Sequence, residues 1–239
     1  MKPVLSTDEY QSPGYFSLDI AADRDRKEYN IRNHSLIREN IRPDFLFIGD
    51  SITRFWELDA YFYKEECRCI NRGIAGDTTT YLNKRYDYDA LQLNPGVIIL
   101  HIGINDTMDL EGDYWKLLPP LPFDEVLGRA KENISDMAMR TKAAGITLAI
   151  GSLLPMKIVL SLHVETRQRF IRDLNAWLSE FCATEGLIYA DYFGSIVDTD
   201  GYLPKAGTMY DGLHPDAGGY RIMSDVLSAA LAKRDIRIS

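Results

Sequence analysis

The sequence has little cysteine and no excess of positive charge. Its 239 residues include only three cysteines, an odd number, and Cys67 and Cys69 are too close together for a comfortable disulfide. None has the spacing of a metal site, so reduced structural thiols are expected. Aspartate and glutamate (35) outnumber lysine and arginine (27), which gives a net charge of −8. Because nucleic-acid binding normally needs a basic face, we expect no nucleic-acid partner.

Long apolar segments are also missing. Met1 to Glu9 contains no apolar core of signal-peptide length, and no later run approaches the length of a membrane span. We therefore expect a cytoplasmic protein without membrane insertion. No repeat, low-complexity tract or Gly/Ser linker divides the chain. We expect one main domain over residues 44–239, with residues 1–43 forming an N-terminal arm and helix packed on it.

After residue 43, short apolar runs alternate with amphipathic segments. Helical stripes predict one helix that ends at Gly145, another that ends at Gly186 and a last helix that begins near Asp216. A charged helix is predicted from about Arg24 to Ile41. Repeated strand-helix units predict an α/β fold, a three-layer sandwich around a five-stranded, mostly parallel sheet. The five runs that predict its buried strands are Asp44 to Gly49, Cys67 to Asn71, Val97 to Gly103, Ile146 to Gly151 and Leu187 to Ala190.

Four short polar segments punctuate this pattern at the predicted strand ends. In open parallel sheets, ligands bind outside the carboxyl ends of the strands, so the four segments are expected to meet in one site. They are Gly49-Asp50-Ser51, Ala75-Gly76-Asp77-Thr78, Gly103-Ile104-Asn105-Asp106 and Asp211-Gly212-Leu213-His214.

Ser51 lies where a buried strand passes into a helix, a position suited to a nucleophile. A serine hydroxyl needs a base within hydrogen-bond reach, usually a histidine that a carboxylate orients. His214, with Asp211 three residues before it, has this composition. The same spacing also suits a metal site, or a turn that caps the helix starting near Asp216.

A reaction at an ester carbonyl also needs donors for the oxyanion. The backbone N–H groups of Ser51 and Gly76 and the side-chain amide of Asn105 are the candidates, since all three can donate without bringing a charge. Taken singly, Gly76 is equally explained as a turn glycine and Asn105 as a capping residue. Asp50, Asp77 and Asp106 are expected to brace the loops.

The four segments together resemble the sequence blocks of the SGNH hydrolases, also called the GDSL esterase/lipase family. They occur in the family's order between about Asp44 and Tyr220, and Ile52 stands where the family name has leucine. The run from Asn71 to Thr79 is most similar to platelet-activating-factor acetylhydrolase-like and carbohydrate acetylesterase members. The resemblance implies a flavodoxin-like fold and a catalytic domain that hydrolyses esters through an acyl-serine, without cofactor or metal.

The resemblance also implies roles for individual residues. Ser51 is the expected nucleophile, His214 the base and Asp211 the acid that orients it, with oxyanion donors at Ser51, Gly76 and Asn105. Asp50 and Trp115 are weaker candidates for substrate contacts. The expected substrate is a small-molecule ester or an acylated carbohydrate, most simply an acetyl ester.

The sequence is compatible with several alternatives. Within the family, a short-chain lipase, a lysophospholipase or a thioesterase would use the same machinery. A non-enzymatic flavodoxin-like binding module is another compatible function. Assembly into a homo-oligomer is compatible with any of these functions. A metal-dependent phosphoesterase would find candidate ligands near one sheet edge, namely Asp50, His101, Asn105, Asp106, Asp211 and His214.

Overall fold

A computed structural model describes residues 21–62, 67–112, 118–157 and 161–238 of the chain. Its sheet has five parallel strands in the order β2-β1-β3-β4-β5. This is the flavodoxin-like order. The second strand is added on one side of β1, and β3, β4 and β5 are then added on its other side. The strands are β1 (Phe45–Gly49), β2 (Cys69–Gly73), β3 (Val97–His101), β4 (Thr147–Gly151) and β5 (Ile188–Ala190).

Helices cover both faces of this sheet. On one face, α1, α4, α5 and α6 contact one another in that order, and on the other α7 packs on α8 while the segment around α2 and α3 contacts α8 through Tyr220 and Ser224. The predicted three-layer α/β/α sandwich is therefore confirmed. The helices are α1 (Ala21–Arg38), α2 (Ser51–Arg54), α3 (Leu58–Tyr61), α4 (Thr79–Asp89), α5 (Phe123–Ala143), α6 (Val164–Glu185), α7 (Tyr192–Ile196) and α8 (Ala217–Ala232).

The central strands are apolar because both of their faces are covered. All five residues of β1 and all five of β3 are buried, and the sheet is entirely parallel where the sequence predicted a mostly parallel one. The predicted helix stops are close to those observed. Gly186 adopts a left-handed conformation (φ 69°) directly after α6, and Asp216 caps the start of α8.

The predicted bounds of β2 were wrong by two residues. The strand runs from Cys69 to Gly73, whereas the sequence pattern suggested Cys67 to Asn71. Arg72 and Gly73 looked like the start of a loop, but Arg72 is buried and its guanidinium donates to the side chain of Asn33. A charged residue can therefore lie buried within a strand when its charge has polar partners.

The helix α1 belongs to the predicted N-terminal segment and contacts the rest of the fold through polar side chains. The hydroxyl of Tyr29 donates to the carbonyl of Gly73, and the amide of Asn33 donates to the carboxylate of Asp89 (2.9 Å). The division at residue 43 stays a prediction. Within the described ranges, no helix combines the length and the apolar character needed to cross a membrane.

Gly151, at the end of β4, leaves room for a buried aromatic ring. A β-carbon at this position would lie 2.2 Å from Cε2 of Tyr192 and 3.1 Å from Cδ2 of His101. Tyr192 is completely buried, and its ring lies 5.7 Å from that of His101. The missing side chain thus lets α7 pack directly on the carboxyl edge of the sheet.

We predict that Gly151→Ala destabilises the protein, because a methyl group would overlap the ring of Tyr192. Overpacking of this kind costs about 1–3 kcal/mol. Denaturant unfolding measures the effect. Gly128→Ala is the matched control, since a β-carbon at Gly128 within α5 meets nothing within 4 Å and should raise stability by about 0.5–1 kcal/mol. Equal stability of the two variants would contradict the packing argument.

Candidate active site

Three strand ends lie side by side at the carboxyl edge of the sheet. In the parallel register, Gly49 of β1 pairs with Gly73 of β2 on one side and with His101 of β3 on the other. The loops that follow these strands carry Ser51, Gly76 and Asn105. The register therefore places the first three polar segments of the sequence in neighbouring loops.

Ser51 is the first residue of the short helix α2. Asp50 caps this helix, because its Oδ1 accepts the N–H of Ile52 (2.9 Å). The backbone N–H of Ser51 has no partner within the helix, since the first N–H groups of any helix lack one. Ser51 is 6% exposed, so most of its surface is buried in the protein.

His214 lies within hydrogen-bond distance of Ser51. Its Nε2 is 2.9 Å from Oγ of Ser51, and its Nδ1 is 2.7 Å from Oδ2 of Asp211. With the ring proton on Nδ1, His214 donates to Asp211 and accepts the hydroxyl proton of Ser51. The three side chains thus form one hydrogen-bonded chain.

The carboxylate of Asp211 is held in its charged form. Partial burial alone would raise its pKa, but the backbone N–H of His214, the His214 ring and the N–H of Leu213 outweigh burial and lower the pKa below its ordinary value. Its Oδ1 accepts both N–H groups, at 2.7 Å from His214 and 2.9 Å from Leu213. This leaves Oδ2 for the imidazole.

The turn that carries these two residues is fixed at several points. Gly212 has a left-handed φ of 82°, and a β-carbon there would lie 2.1 Å from the carbonyl oxygen of Lys157. The N–H of Lys157 donates to the carbonyl of Gly212 (2.7 Å). Asp216, and not Asp211, caps α8 by accepting the N–H of Gly219 (3.0 Å). The capping role is therefore filled by another residue, and Asp211 is available to orient His214.

Gly76 and Asn105 lie in two loops that are hydrogen-bonded to each other. Gly76 is exposed and has a φ of 79°, a conformation that favours glycine. The amide of Asn105 donates one hydrogen to the carbonyl of Asp77 (2.9 Å), directly after Gly76. Ile74 in the same loop donates to the carbonyl of Gly49 (2.9 Å). An asparagine amide has two hydrogens, so the bond to Asp77 uses only one of those of Asn105.

The carboxylates next to these loops are buried and point into the protein. Asp106 accepts both the backbone N–H (2.9 Å) and the hydroxyl of Thr79, and burial raises its pKa to about 6. Asp77 accepts Nε of Arg85 (2.8 Å). Both contacts tie a loop to the helix α4, as the sequence analysis expected of bracing residues.

The proposed substrate contact of Asp50 needs correction. Asp50 has no exposed surface, so its carboxyl group is directed into the protein and caps α2. Its Oδ2 has no hydrogen-bond partner among the described residues. Burial, partly offset by the N–H of Ile52 and reinforced by the charges of Asp77 and Asp106, raises its pKa to about 8. The other weak candidate, Trp115, lies outside the described residues.

His101 is separate from this arrangement, although it lies at the end of a central strand. It is buried, its Nε2 lies 3.1 Å from the carbonyl oxygen of Ser152, and burial lowers its pKa to about 4. Across the residues that the structure describes, no group of three or more histidine, cysteine, aspartate or glutamate side chains is arranged to hold a metal ion.

Sequence reasoning missed two aromatic residues beside His214. The ring of Tyr210 stacks on the imidazole with a centroid distance of 5.8 Å, and the ring of Phe55 lies 5.5 Å from it. Tyr210 is 67% exposed and Phe55 is 50% exposed. Their positions, directly before Asp211 and just after α2, follow no periodic pattern that could have revealed them.

Comparison with known proteins identifies the family of this chain. The model of the GDSL-like lipase/acylhydrolase family matches residues 47–222, more than half of the chain. The protein belongs to this family. It is therefore a hydrolase that acts on ester bonds, as the sequence resemblance implied. A comparison with curated proteins found no significant match.

Solved structures resemble this GDSL-like hydrolase over most of its length. A Bacteroides fragilis protein provisionally assigned as an acylhydrolase is 25% identical, with a TM-score of 0.73 over 91% of this chain and 99% of its own. A Streptococcus pneumonia protein provisionally assigned as a platelet activating factor is 24% identical, with a TM-score of 0.67 and coverages of 88% and 92%. The acetylxylan esterase Axe2 from Geobacillus stearothermophilus shares the fold at 18% identity, with a TM-score of 0.61 and coverages of 78% and 93%.

We predict that Asp50→Asn stabilises the hydrolase more at high pH than at low pH. The pKa of Asp50 rises from 3.8 to about 8 on folding, so the folded state holds a proton that the unfolded state has lost. Wild-type stability from this group therefore falls as pH rises from about 4 to about 8. Asparagine caps α2 equally well and does not titrate.

Urea unfolding at pH 5, 6, 7 and 8 measures this difference. The gain of Asp50→Asn over wild type should increase by about 2–4 kcal/mol between pH 5 and pH 8. A gain that does not change with pH would show that Asp50 is charged in the folded protein.

Proposed function

We propose that this hydrolase removes short acyl groups, in particular acetyl groups, from carbohydrate esters through an acyl-serine intermediate. Ser51 is the nucleophile, His214 the general base and Asp211 the carboxylate that orients the imidazole. The observation that carries the proposal is the hydrogen-bonded chain from Ser51 Oγ through His214 to Asp211, with distances of 2.9 and 2.7 Å. The catalytic triad of serine hydrolases has this geometry, which recurs on unrelated folds.

In the first half of the reaction, Oγ of Ser51 attacks the ester carbonyl carbon and its proton passes to Nε2 of His214. The tetrahedral intermediate then collapses, the bond to the leaving alcohol breaks, and His214 returns the proton to the alcohol oxygen. In the second half, a water molecule attacks the acyl-serine while His214 takes its proton. Collapse releases the carboxylic acid and restores the Ser51 hydroxyl.

The negative charge on the carbonyl oxygen needs donors that are already in place. We assign this role to the backbone N–H groups of Ser51 and Gly76 and to the second amide hydrogen of Asn105. The bond from Asn105 to the carbonyl of Asp77 supports the assignment, because it fixes the orientation of the amide. Each removed donor of this kind typically lowers kcat by about 10²- to 10³-fold.

The choice of a carbohydrate ester is supported by the aromatic residues beside His214. Tyr210 and Phe55 offer flat apolar surfaces next to the group that protonates the leaving alcohol. Aromatic faces of this kind can pack against the C–H groups of a sugar ring. The shared fold with an acetylxylan esterase is consistent with this assignment.

We predict that Ser51→Ala abolishes hydrolysis of p-nitrophenyl acetate, whereas wild-type activity survives a metal chelator. Loss of the nucleophile in other serine hydrolases lowers kcat by about 10⁶-fold. The chelator should have no effect because protein groups and a water molecule carry every step of the proposed mechanism. Initial rates of purified protein measure both effects.

Ser224→Ala is the matched control for this experiment. Ser224 is also a buried serine, and its hydroxyl accepts Nε1 of Trp56 (3.3 Å) and donates to the carbonyl of Tyr220 (2.7 Å), neither of which belongs to the triad. This variant should keep its turnover. Full activity of folded Ser51→Ala, or loss of wild-type activity with the chelator, would rule out the serine mechanism.

We also predict that Tyr210→Ala lowers the preference for sugar esters. Its kcat/KM on acetylated xylooligosaccharides should fall about 2- to 13-fold further than its kcat/KM on p-nitrophenyl acetate, the factor that corresponds to about 0.5–1.5 kcal/mol for an aromatic contact. The ratio of the two constants is the decisive quantity, because Tyr210 also contacts His214 and can affect both substrates.

Tyr202→Ala provides a control, since Tyr202 is a similarly exposed tyrosine that packs on Arg172. Its ratio should equal that of wild type. An unchanged ratio in Tyr210→Ala would argue against the sugar contact. A wild-type enzyme that prefers decanoyl to acetyl esters would argue against deacetylation.

A further inference from the structure

A buried arginine lies beneath the loops of the proposed active site. Arg85, in α4, has no exposed surface. Its Nε donates to Oδ2 of Asp77 (2.8 Å), and its Nη2 donates to the carbonyl of Gly49 (3.1 Å). Its Nη1 donates to the carbonyl of Arg72 (3.0 Å) and to Oδ2 of Asp89 (3.2 Å). One guanidinium thus binds the ends of two strands, a loop and its own helix.

Two of these partners, Gly49 and Asp77, are close in the sequence to, or bound to, the residues proposed as oxyanion donors. Gly49 ends the strand that leads to Ser51. Asp77 directly follows Gly76 in residues 74–78, the glycine loop, which joins β2 to α4. The backbone carbonyl of Asp77 accepts the amide of Asn105 (2.9 Å), while its side chain accepts Arg85. A shift of Asp77 would therefore move Gly76 and release the amide of Asn105.

The charge of Arg85 is balanced by carboxylates that are themselves buried. Asp77 and Asp89 have side chains with 0% exposure, as does Arg85. Asp89 also accepts Nε of Arg26 (3.3 Å) and the amide of Asn33 (2.9 Å), both from α1. Removing one partner from such a cluster leaves an uncompensated buried charge, which is costly. The N-terminal helix therefore helps to hold the guanidinium in place.

This position requires the several donors and the planar geometry of an arginine side chain. A guanidinium presents five donors in a rigid plane, whereas a lysine ammonium is a compact charge with a different geometry. Four acceptors, from β1, β2, the loop after β2 and α4, surround Arg85. A lysine could keep the charge balance but could not reach all of them at once.

We propose that Arg85 is a positioning residue that holds the glycine loop and Asn105 against the strand of Ser51. It acts through Asp77 and Gly49 and contacts neither Ser51 nor His214 in the described hydrogen bonds. The proposal rests on the function proposed above, because it concerns the oxyanion donors of that reaction.

The test is Arg85→Lys, compared with wild type in steady-state kinetics on p-nitrophenyl acetate. We expect kcat to fall about 10- to 100-fold, because small displacements of transition-state donors cost this much, while KM changes less than about twofold. The pH midpoint of kcat/KM should stay unchanged, since His214 and Asp211 do not contact Arg85. Hydrogen exchange of the segment from Gly76 to Thr78 should be faster.

Tyr86→Phe is the matched control for a loss of packing alone. Tyr86 follows Arg85 in α4, is also fully buried and shares a hydrogen bond with Thr141 (2.7 Å) on the side of α5. This variant should lose stability with no change in kcat. If Arg85→Lys does not fold, Asp77→Asn takes its place, since it keeps the backbone carbonyl of Asp77 and weakens the pairing with Arg85.

For Asp77→Asn we expect a fall in kcat of about fivefold or more at unchanged KM. Folded Arg85→Lys or Asp77→Asn with wild-type kcat would overturn the positioning role, as would an equal loss of kcat in Tyr86→Phe. The proposed function fails separately, by full activity of Ser51→Ala.

Discussion

The parallel pairing of β1 with both of its neighbours is the constraint on which the site depends. It brings Gly49, Gly73 and His101 to the same level at the carboxyl edge of the sheet. Segments that are far apart in the sequence then follow from adjacent strand ends. β2 lies on one side of β1 and β3 on the other, so the strand order reverses between β1 and β3. Open parallel sheets bind their ligands at such a reversal. His214 reaches Ser51 from the turn before α8 and completes the arrangement.

This edge is crowded with carboxylates, which would oppose the negative charge that develops during ester hydrolysis. The structure reduces this opposition in three ways. Burial raises the pKa of Asp50, so this group is largely neutral near pH 7. Arg85 pairs with Asp77, and Thr79 donates twice to Asp106. The burial that stabilises the fold therefore also sets the electrostatics of the proposed oxyanion site.

Much of the fold could be predicted from the sequence because its signals are local. Buried parallel strands appear as short apolar runs, and the stop of α6 at Gly186 requires only a residue that accepts a positive φ. The polar segments at the strand ends could be joined into one site, since parallel strands share a carboxyl edge. The end of β2 was misplaced because the partners that make Arg72 tolerable inside the protein come from a distant helix.

The residues that were missed depend on long-range contacts. Arg85 looks like an ordinary polar residue of a helix until the fold surrounds it with acceptors from β1, β2 and the glycine loop. Tyr210 looks like a loop residue until its ring is seen to stack on His214. Asp50 was considered as a substrate contact, yet the folded protein buries it completely. The spacing of residues in the sequence indicates which residues could react. The residues that hold them in place are determined by tertiary packing and become visible only in the structure.

The most direct measurement of the central claim is covalent labelling with a fluorophosphonate, followed by peptide mass spectrometry. A serine that His214 activates should form one adduct per chain, located at Ser51, and labelling should slow sharply in His214→Ala. Folded protein that hydrolyses acetyl esters but carries no adduct at Ser51, or carries it at another serine, would contradict the claim.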